Sequence, residues 1–155
     1  MLRRAHQIAV TVFLEETRAL GITTTQYGIL LLLRHHPGID QITVAKLLGL
    51  DRSTTAMVLQ KLAKDGLIGR RVGSGDRRRR DLELTSTGAA LLRRLKVPAA
   101  KARVRLLDVF SAKERGEFLR LLDKFTQAFN ETARVPLMTR RVDGQTPVKS
   151  GRKRR

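Results

Sequence analysis

The sequence predicts a mainly α-helical chain with one small β-hairpin wing, a winged helix-turn-helix carrying N- and C-terminal dimerisation helices, and three observations predict it. Between Ile42 and Thr85 a short apolar-periodic helix, a Gly49-Leu50-Asp51 turn, a second helix and an arginine-studded hairpin follow one another. The second of these helices opens on Asp51-Arg52-Ser53-Thr54. Asp51 is placed to cap free backbone N–H groups, and Arg52, Ser53 and Thr54 project near the N-terminus, as suits a helix that points at DNA. Finally, Gly73-Ser74-Gly75-Asp76 reads as a tight turn between Ile68–Val72 and Asp81–Thr85, two short segments of roughly alternating pattern. The turn runs into Arg77, Arg78, Arg79 and Arg80.

Ahead of that unit, Ala9, Val10, Phe13, Leu14 and Leu20 share one side of a helical wheel, which predicts a first amphipathic helix over residues 2–20, ended by Gly21. One of Thr23, Thr24 and Thr25 caps a second helix through Tyr27, Ile29, Leu30, Leu32 and Leu33, stopped by Pro37-Gly38. It is apolar on most sides and is expected to be buried. Thr43 is taken to open the short third helix, which Gly49 terminates. On the fourth helix, Thr55, Val58, Leu59 and Leu62 cluster on one side, while Ser53, Ala56, Met57, Gln60 and Lys61 fall on the other. One face packs and the other is free to read.

Gly66 ends the fourth helix, and Thr85-Ser86-Thr87-Gly88 opens a long fifth one in which Pro98 predicts a kink. Ser111 followed by Glu114 is a capping-box signature for a last helix whose apolar residues are Phe118, Leu119, Leu121, Leu122, Phe125 and Phe129. After Val135-Pro136 the pattern stops. The expected organisation is one domain over 1–135, with the winged unit at about 24–85 and dimerisation helices at about 2–20 and 86–133, followed by a basic disordered tail over 136–155. Helices one, five and six expose more apolar periodicity than the small winged unit can cover, so a second copy is the expected partner. A two-fold dimer presents two recognition helices to a pseudo-palindromic site.

Size and charge narrow the function classes. The 155 residues suffice for one domain with its own core. With 32 Lys+Arg against 14 Asp+Glu the formal net charge is +18, which points to a polyanionic partner. Residues 140–155 hold Arg140, Arg141, Lys149, Arg152, Lys153, Arg154 and Arg155 against Asp143, a net of 7 − 1 = +6, leaving 18 − 6 = +12 on the rest. The tail alone therefore does not account for the charge. Cysteine is absent, which excludes disulfides, thiolate metal sites and thiol redox sensing. The longest apolar run, Ile29–Leu33, is far short of the roughly 20 residues of a membrane span, and no signal segment opens the chain, so a cytoplasmic protein is expected.

Taken in order, Thr25-Gln26-Tyr27 with Leu30, Pro37-Gly38-Ile39-Asp40-Gln41, Leu50-Asp51-Arg52-Ser53-Thr54, Leu62, Gly66-Leu67-Ile68, Asp76-Arg77-Arg78, Leu84-Thr85 with Gly88, and Leu121-Leu122 carry a family likeness. On these residues the chain, nearly all of it to about Phe129, resembles the multiple antibiotic resistance regulator (MarR) family of bacterial transcription factors. No single piece is specific; their order and spacing together are. The resemblance implies a homodimeric regulator of double-stranded DNA, most often a repressor, whose fourth helix enters the major groove while wing arginines reach adjacent minor grooves. It implies that Asp76 and Arg78 brace the hairpin by an ion pair. Members usually carry extra residues before the first helix, whereas this chain begins at or inside it.

The expected DNA-binding residues are Arg52, Ser53, Thr54, Met57, Gln60 and Lys61 on the helix, and Asp76, Arg77, Arg78, Arg79 and Arg80 on the wing. Many family members release DNA when a small, often aromatic and anionic compound binds between the dimerisation helices and the winged unit. Here that implies an effector pocket of His6, Phe13, Tyr27 and Leu31, with Arg34 or Arg94 as the carboxylate partner. No cofactor is expected. His6, His35 and His36 without cysteine make a weak metal set, and His35-His36 read as the polar end of the second helix. No nucleophile elbow, phosphate loop or convergent carboxylate pair argues for an enzyme, since Glu15-Glu16 are adjacent on a helix and diverge. The competing class is an architectural nucleoid protein that binds DNA through charge with little sequence choice.

Overall fold

In the computed structural model, which describes residues 1–72 and 80–129, a side-chain cap starts every α-helix but the first. Helix α1 (Leu2–Thr17) passes into a 3-10 turn (Arg18–Leu20) and stops at Gly21, whose φ of 60° lies in the left-handed region that glycine enters without strain. Of the three candidate threonines it is Thr23 that caps α2 (Thr24–His35), in a reciprocal box with Gln26. Next come α3 (Gln41–Leu48), α4 (Arg52–Lys64), the antiparallel strands β1 (Ile68–Val72) and β2 (Arg80–Leu84), α5 (Ser86–Leu107) and α6 (Ala112–Ala128). No described helix is long and apolar enough to cross a membrane.

Two boundaries differ from the sequence-based expectation. Asp40, not Thr43, caps α3, and the Thr43 N–H is the group that donates to Asp40 Oδ1 at 2.8 Å. Both residue types cap helices well, so local pattern does not choose between them. A distant contact chooses: the Leu82 N–H donates to the Ile39 carbonyl at 2.9 Å and the Gly38 N–H to the Leu82 carbonyl at 3.0 Å, which holds the chain extended up to Asp40. The second strand also sits one residue earlier than expected, because Thr85 is withdrawn from it to cap α5. Its Oγ1 accepts from the Gly88 N–H at 3.0 Å and donates to the Gly66 carbonyl at 2.7 Å.

The core gathers where these elements meet. Ile29, Leu30 and Leu33 of α2, Val44 of α3, Leu59 and Leu62 of α4, Ile68 and Leu82 of the hairpin, and Leu92 and Leu95 of α5 are all buried in one cluster. Removing that apolar surface from water is the principal force holding these elements together. As expected, α2 supplies its centre. Helix α5 continues through Pro98, which has no N–H to give to the carbonyl of Arg94.

Helix α6 is different. The Ser111–Glu114 box starts it as expected, yet it contributes no buried residue. Phe118, Leu119, Leu121, Leu122, Phe125 and Phe129 stay 41 to 56 % exposed, with ring contacts of Phe110 with Phe118 and of Phe125 with Phe129 at 5.0 Å.

Backbone and helix approach most tightly at Gly88, where an added Cβ would lie 2.1 Å from the Leu67 carbonyl oxygen and 2.8 Å from Leu84 Cδ1. That oxygen already accepts from the Thr85 N–H at 3.2 Å, so it has little room to retreat. Gly88→Ala is expected to destabilise the fold by about 2–3 kcal/mol through overpacking. A urea melt checks this, and a midpoint equal to that of the parent chain would contradict it.

Candidate nucleic-acid interface

The arrangement of α4 follows from its cap and its buried stripe. Asp51 Oδ1 accepts from the Thr54 N–H at 2.9 Å and from the Ser53 hydroxyl at 2.6 Å, and Asp51 Oδ2 accepts from the Thr54 hydroxyl at 2.6 Å. One carboxylate thus satisfies a free N–H of the first turn, places negative charge at the positive end of the helix dipole and orients two of the predicted reading side chains. Thr55 is buried beneath them and donates its hydroxyl to the Asp51 carbonyl at 2.7 Å. Leu59 and Leu62, both 0 % exposed, lock the inner face.

The outer face is free in consequence. Arg52, Ser53, Met57, Gln60 and Lys61 are exposed, Thr54 and Ala56 are half-buried, and Met57 is 64 % exposed, which is high for a large apolar side chain. A solvent-facing methionine between a serine and a glutamine offers apolar contact to a thymine methyl beside a group able to pair with a base edge. Because the Ser53 and Thr54 hydroxyl hydrogens are committed to Asp51, their oxygens face outward chiefly as acceptors. They suit a base amino group better than a phosphate.

Sequence reasoning missed one partner. Lys61 Nζ donates to Asp65 Oδ1 at 2.5 Å and to Asp65 Oδ2 at 2.8 Å, an exposed i, i+4 pair. The spacing was readable. Lys61 therefore reaches a phosphate or a guanine only in competition with Asp65.

On the hairpin, Arg80 takes its place in β2 opposite Val72. Asp76, Arg77, Arg78 and Arg79, with the Gly73–Asp76 turn, lie outside the described residues, as does the tail over 136–155. The expected effector residues are partly assembled. The Phe13 and Tyr27 rings meet at 5.3 Å across α1 and α2, with Phe13 buried and Leu31 half-buried. His6 lies on an exposed stretch of α1, lining a shallow open groove with Arg4, Gln7, Val10 and Thr11. Arg34 is exposed at the end of α2, and Arg94 is exposed on α5. Among the described residues no group of three or more His, Cys, Asp or Glu side chains is placed to hold a metal ion.

A capped helix presented from a helix-turn-helix core, with a two-stranded hairpin behind it, defines a winged-helix DNA-binding protein. Comparison with known proteins makes this specific. The family model described as MarR family matches residues 20–79, which span the second to fourth helices and the first part of the hairpin. The transcriptional repressor NicR of Pseudomonas putida is 31 % identical over 125 residues, covering 80 % of this chain and 78 % of that protein. The transcriptional repressor CouR, solved bound to a 23-mer DNA duplex, superposes with a TM-score of 0.76 at 32 % identity, covering 81 % of this chain and 89 % of that one. The PcaV transcriptional regulator of Streptomyces coelicolor, solved with its natural ligand, gives 0.73 at 33 % identity, covering 82 % and 89 %. The chain belongs to the MarR family of transcriptional regulators.

Freeing Lys61 from its local partner gives a direct check on the electrostatics of this face. Asp65→Asn is expected to tighten binding to a duplex of arbitrary sequence by roughly two- to fivefold at low salt, the range of an exposed ion pair released to another anion. Unchanged affinity in a fluorescence anisotropy titration would mean that Lys61 does not reach DNA.

Proposed function

We propose that the protein is a homodimeric, sequence-specific repressor that reads a pseudo-palindromic operator and releases it when a small aromatic anion binds. The observation that carries the reading is the outer face of α4: Ser53, Met57, Gln60 and Lys61 stand exposed on a helix whose other side buries Thr55, Leu59 and Leu62 in the core. In this reading Arg52, Ser53, Thr54, Met57, Gln60 and Lys61 enter the major groove, and Asp76, Arg77, Arg78, Arg79 and Arg80 bring the wing to the minor groove. The repressor named CouR, solved on DNA, supports the first part.

The dimer is supported by α6. Six large apolar side chains along a helix and its C-terminal end, all at least 41 % exposed, form a patch that soluble chains rarely leave to water. A second copy covers it, together with Leu2, Ile8 and Leu14 of α1 and Val109 after α5, which are exposed as well. The effector is placed at the Phe13–Tyr27 pair, bounded by His6 and Leu31, with Arg34 or Arg94 meeting its carboxylate. PcaV, solved with its natural ligand, supports a ligand-responsive regulator. An effector of this kind acts only to the extent that it prefers the spacing of recognition helices that misfits DNA.

Selection of binding sites from random duplexes at physiological salt tests the proposal. The expected result is a pseudo-palindrome with half-sites about one helical turn apart. Tight, salt-sensitive binding with no enriched sequence would instead identify an architectural protein. Gln60→Ala is expected to relax preference at particular base positions, at a cost of about 1–3 kcal/mol on the selected site and little on others. An equal loss on every sequence would contradict base readout. Leu122→Asp is expected to sediment as a single 17.5 kDa chain and to lose operator binding; a variant that remained paired would show that α6 is not the seam.

A further inference from the structure

Helix α5 is charged in one sign only. Between Ser86 and Leu107 it carries Arg93, Arg94, Lys96, Lys101, Arg103 and Arg105 and no acidic residue. The other long helices mix their signs: α6 sets Glu114, Glu117 and Asp123 among its cations, with Arg120 bound to Glu117 at 2.6 Å, and α1 offsets Arg3 and Arg4 with Glu15 and Glu16. Even α4, with Arg52, Lys61 and Lys64, has fewer cations than α5.

Among the described residues, neutralisation on α5 is confined to one end. Arg105 donates to Glu15 at 2.7 Å and to Glu16 at 3.2 Å, so these two carboxylates converge on one guanidinium rather than diverge as their adjacency on the helix suggested, tying α5 to α1. Arg93, Arg94, Lys96, Lys101 and Arg103 are exposed, and no described carboxylate pairs with any of them. At about 100° per residue, Val97 and Val104, both exposed, form a narrow strip opposite the buried Leu92, Leu95 and Ala102; Arg93, Lys101 and Arg94 stand within about 70° of it, and Lys96 and Arg103 lie farther round, about 90–110° away. From Arg93 to Arg103 the row is about 15 Å long, and it begins roughly two turns beyond Thr85, where the chain leaves the hairpin.

A second copy of this chain is a poor cover for that strip. Laid symmetrically along Val97 and Val104, it would set each cationic row against its own image in a seam with little water to screen the repulsion. A duplex backbone is a good cover, since it presents one negative charge per roughly 1.7 Å of its axis and releases counterions for each cation that binds. We propose that the outward face of α5 is a second DNA surface, engaging duplex phosphates without regard to sequence and separately from the reading face of α4. Its function is to hold the protein on DNA of arbitrary sequence, or to take hold of a second segment while α4 occupies the first.

Amine acylation of the full chain, with and without a saturating duplex that carries no selected site, tests the proposal without mutation. Lys96 and Lys101 are expected to lose reactivity several-fold on the duplex and to regain it at high salt, while Lys113 and Lys124 on α6 are unaffected. In parallel, the full chain with Arg93, Lys96, Lys101 and Arg103 each changed to Gln is expected to show a shallower dependence of log affinity on log salt, by about 0.9 for each phosphate that these side chains neutralise in the parent chain. Its ranking of sequences should be unchanged. Undiminished reactivity of Lys96 and Lys101 at saturation, or protection by an acidic protein or RNA but not by duplex DNA, would overturn the proposal.

Discussion

The structure depends on α4 having one side that is entirely spoken for. Leu59 and Leu62 are excluded from solvent, Thr55 is buried with its hydroxyl on the Asp51 carbonyl, and the helix is wedged against α2, α3 and β1. A helix so held cannot rotate without exposing leucines, each worth about 1.5–3 kcal/mol of burial. The side chains on the opposite face are therefore presented in a fixed register. Everything around α4 serves that constraint. Helix α2 fills the space behind it, Gly38 and Ile39 clip the chain to Leu82, and Thr85 ties the end of the hairpin to Gly66 at the end of α4.

Polar groups finish what burial begins. The Asp51 carboxylate is held by two hydroxyls and a backbone N–H within its own first turn, so Ser53 and Thr54 are oriented before any ligand arrives. Pre-ordering of this kind lowers the entropy lost on binding. Lys61 is the exception, since its ammonium is already engaged by Asp65. The α4 face is thus less positive than its sequence suggests, whereas α5, which packs Leu92, Leu95 and Ala102, carries the denser charge without a partner among the described carboxylates. Recognition and bulk attraction are divided between different helices.

Much of this was legible in the sequence because the deciding contacts are local. Asp51 with Thr54, Thr85 with Gly88 and Ser111 with Glu114 are caps spanning three residues, and the alternation of buried and exposed positions on α4 is plain periodicity. The start of α3 was not legible, because the pairing of Ile39 with Leu82 that selects Asp40 over Thr43 spans the whole helix-turn-helix. The effector residues were drawn from family resemblance, and only Phe13 and Tyr27 come into ring contact. Side chains on separate helices are brought together by packing, which a helical wheel does not encode.

In the proposed function, the outer face of α4 meets base edges in the major groove. A photo-reactive group in place of the Gln60 side chain, followed by mapping of the cross-linked nucleotides on a selected duplex, measures this most directly. Cross-links are expected at a few defined bases in each half-site, in two clusters about one helical turn apart. Cross-links scattered along the duplex, or none from this position while binding persists, would contradict it and move recognition away from α4.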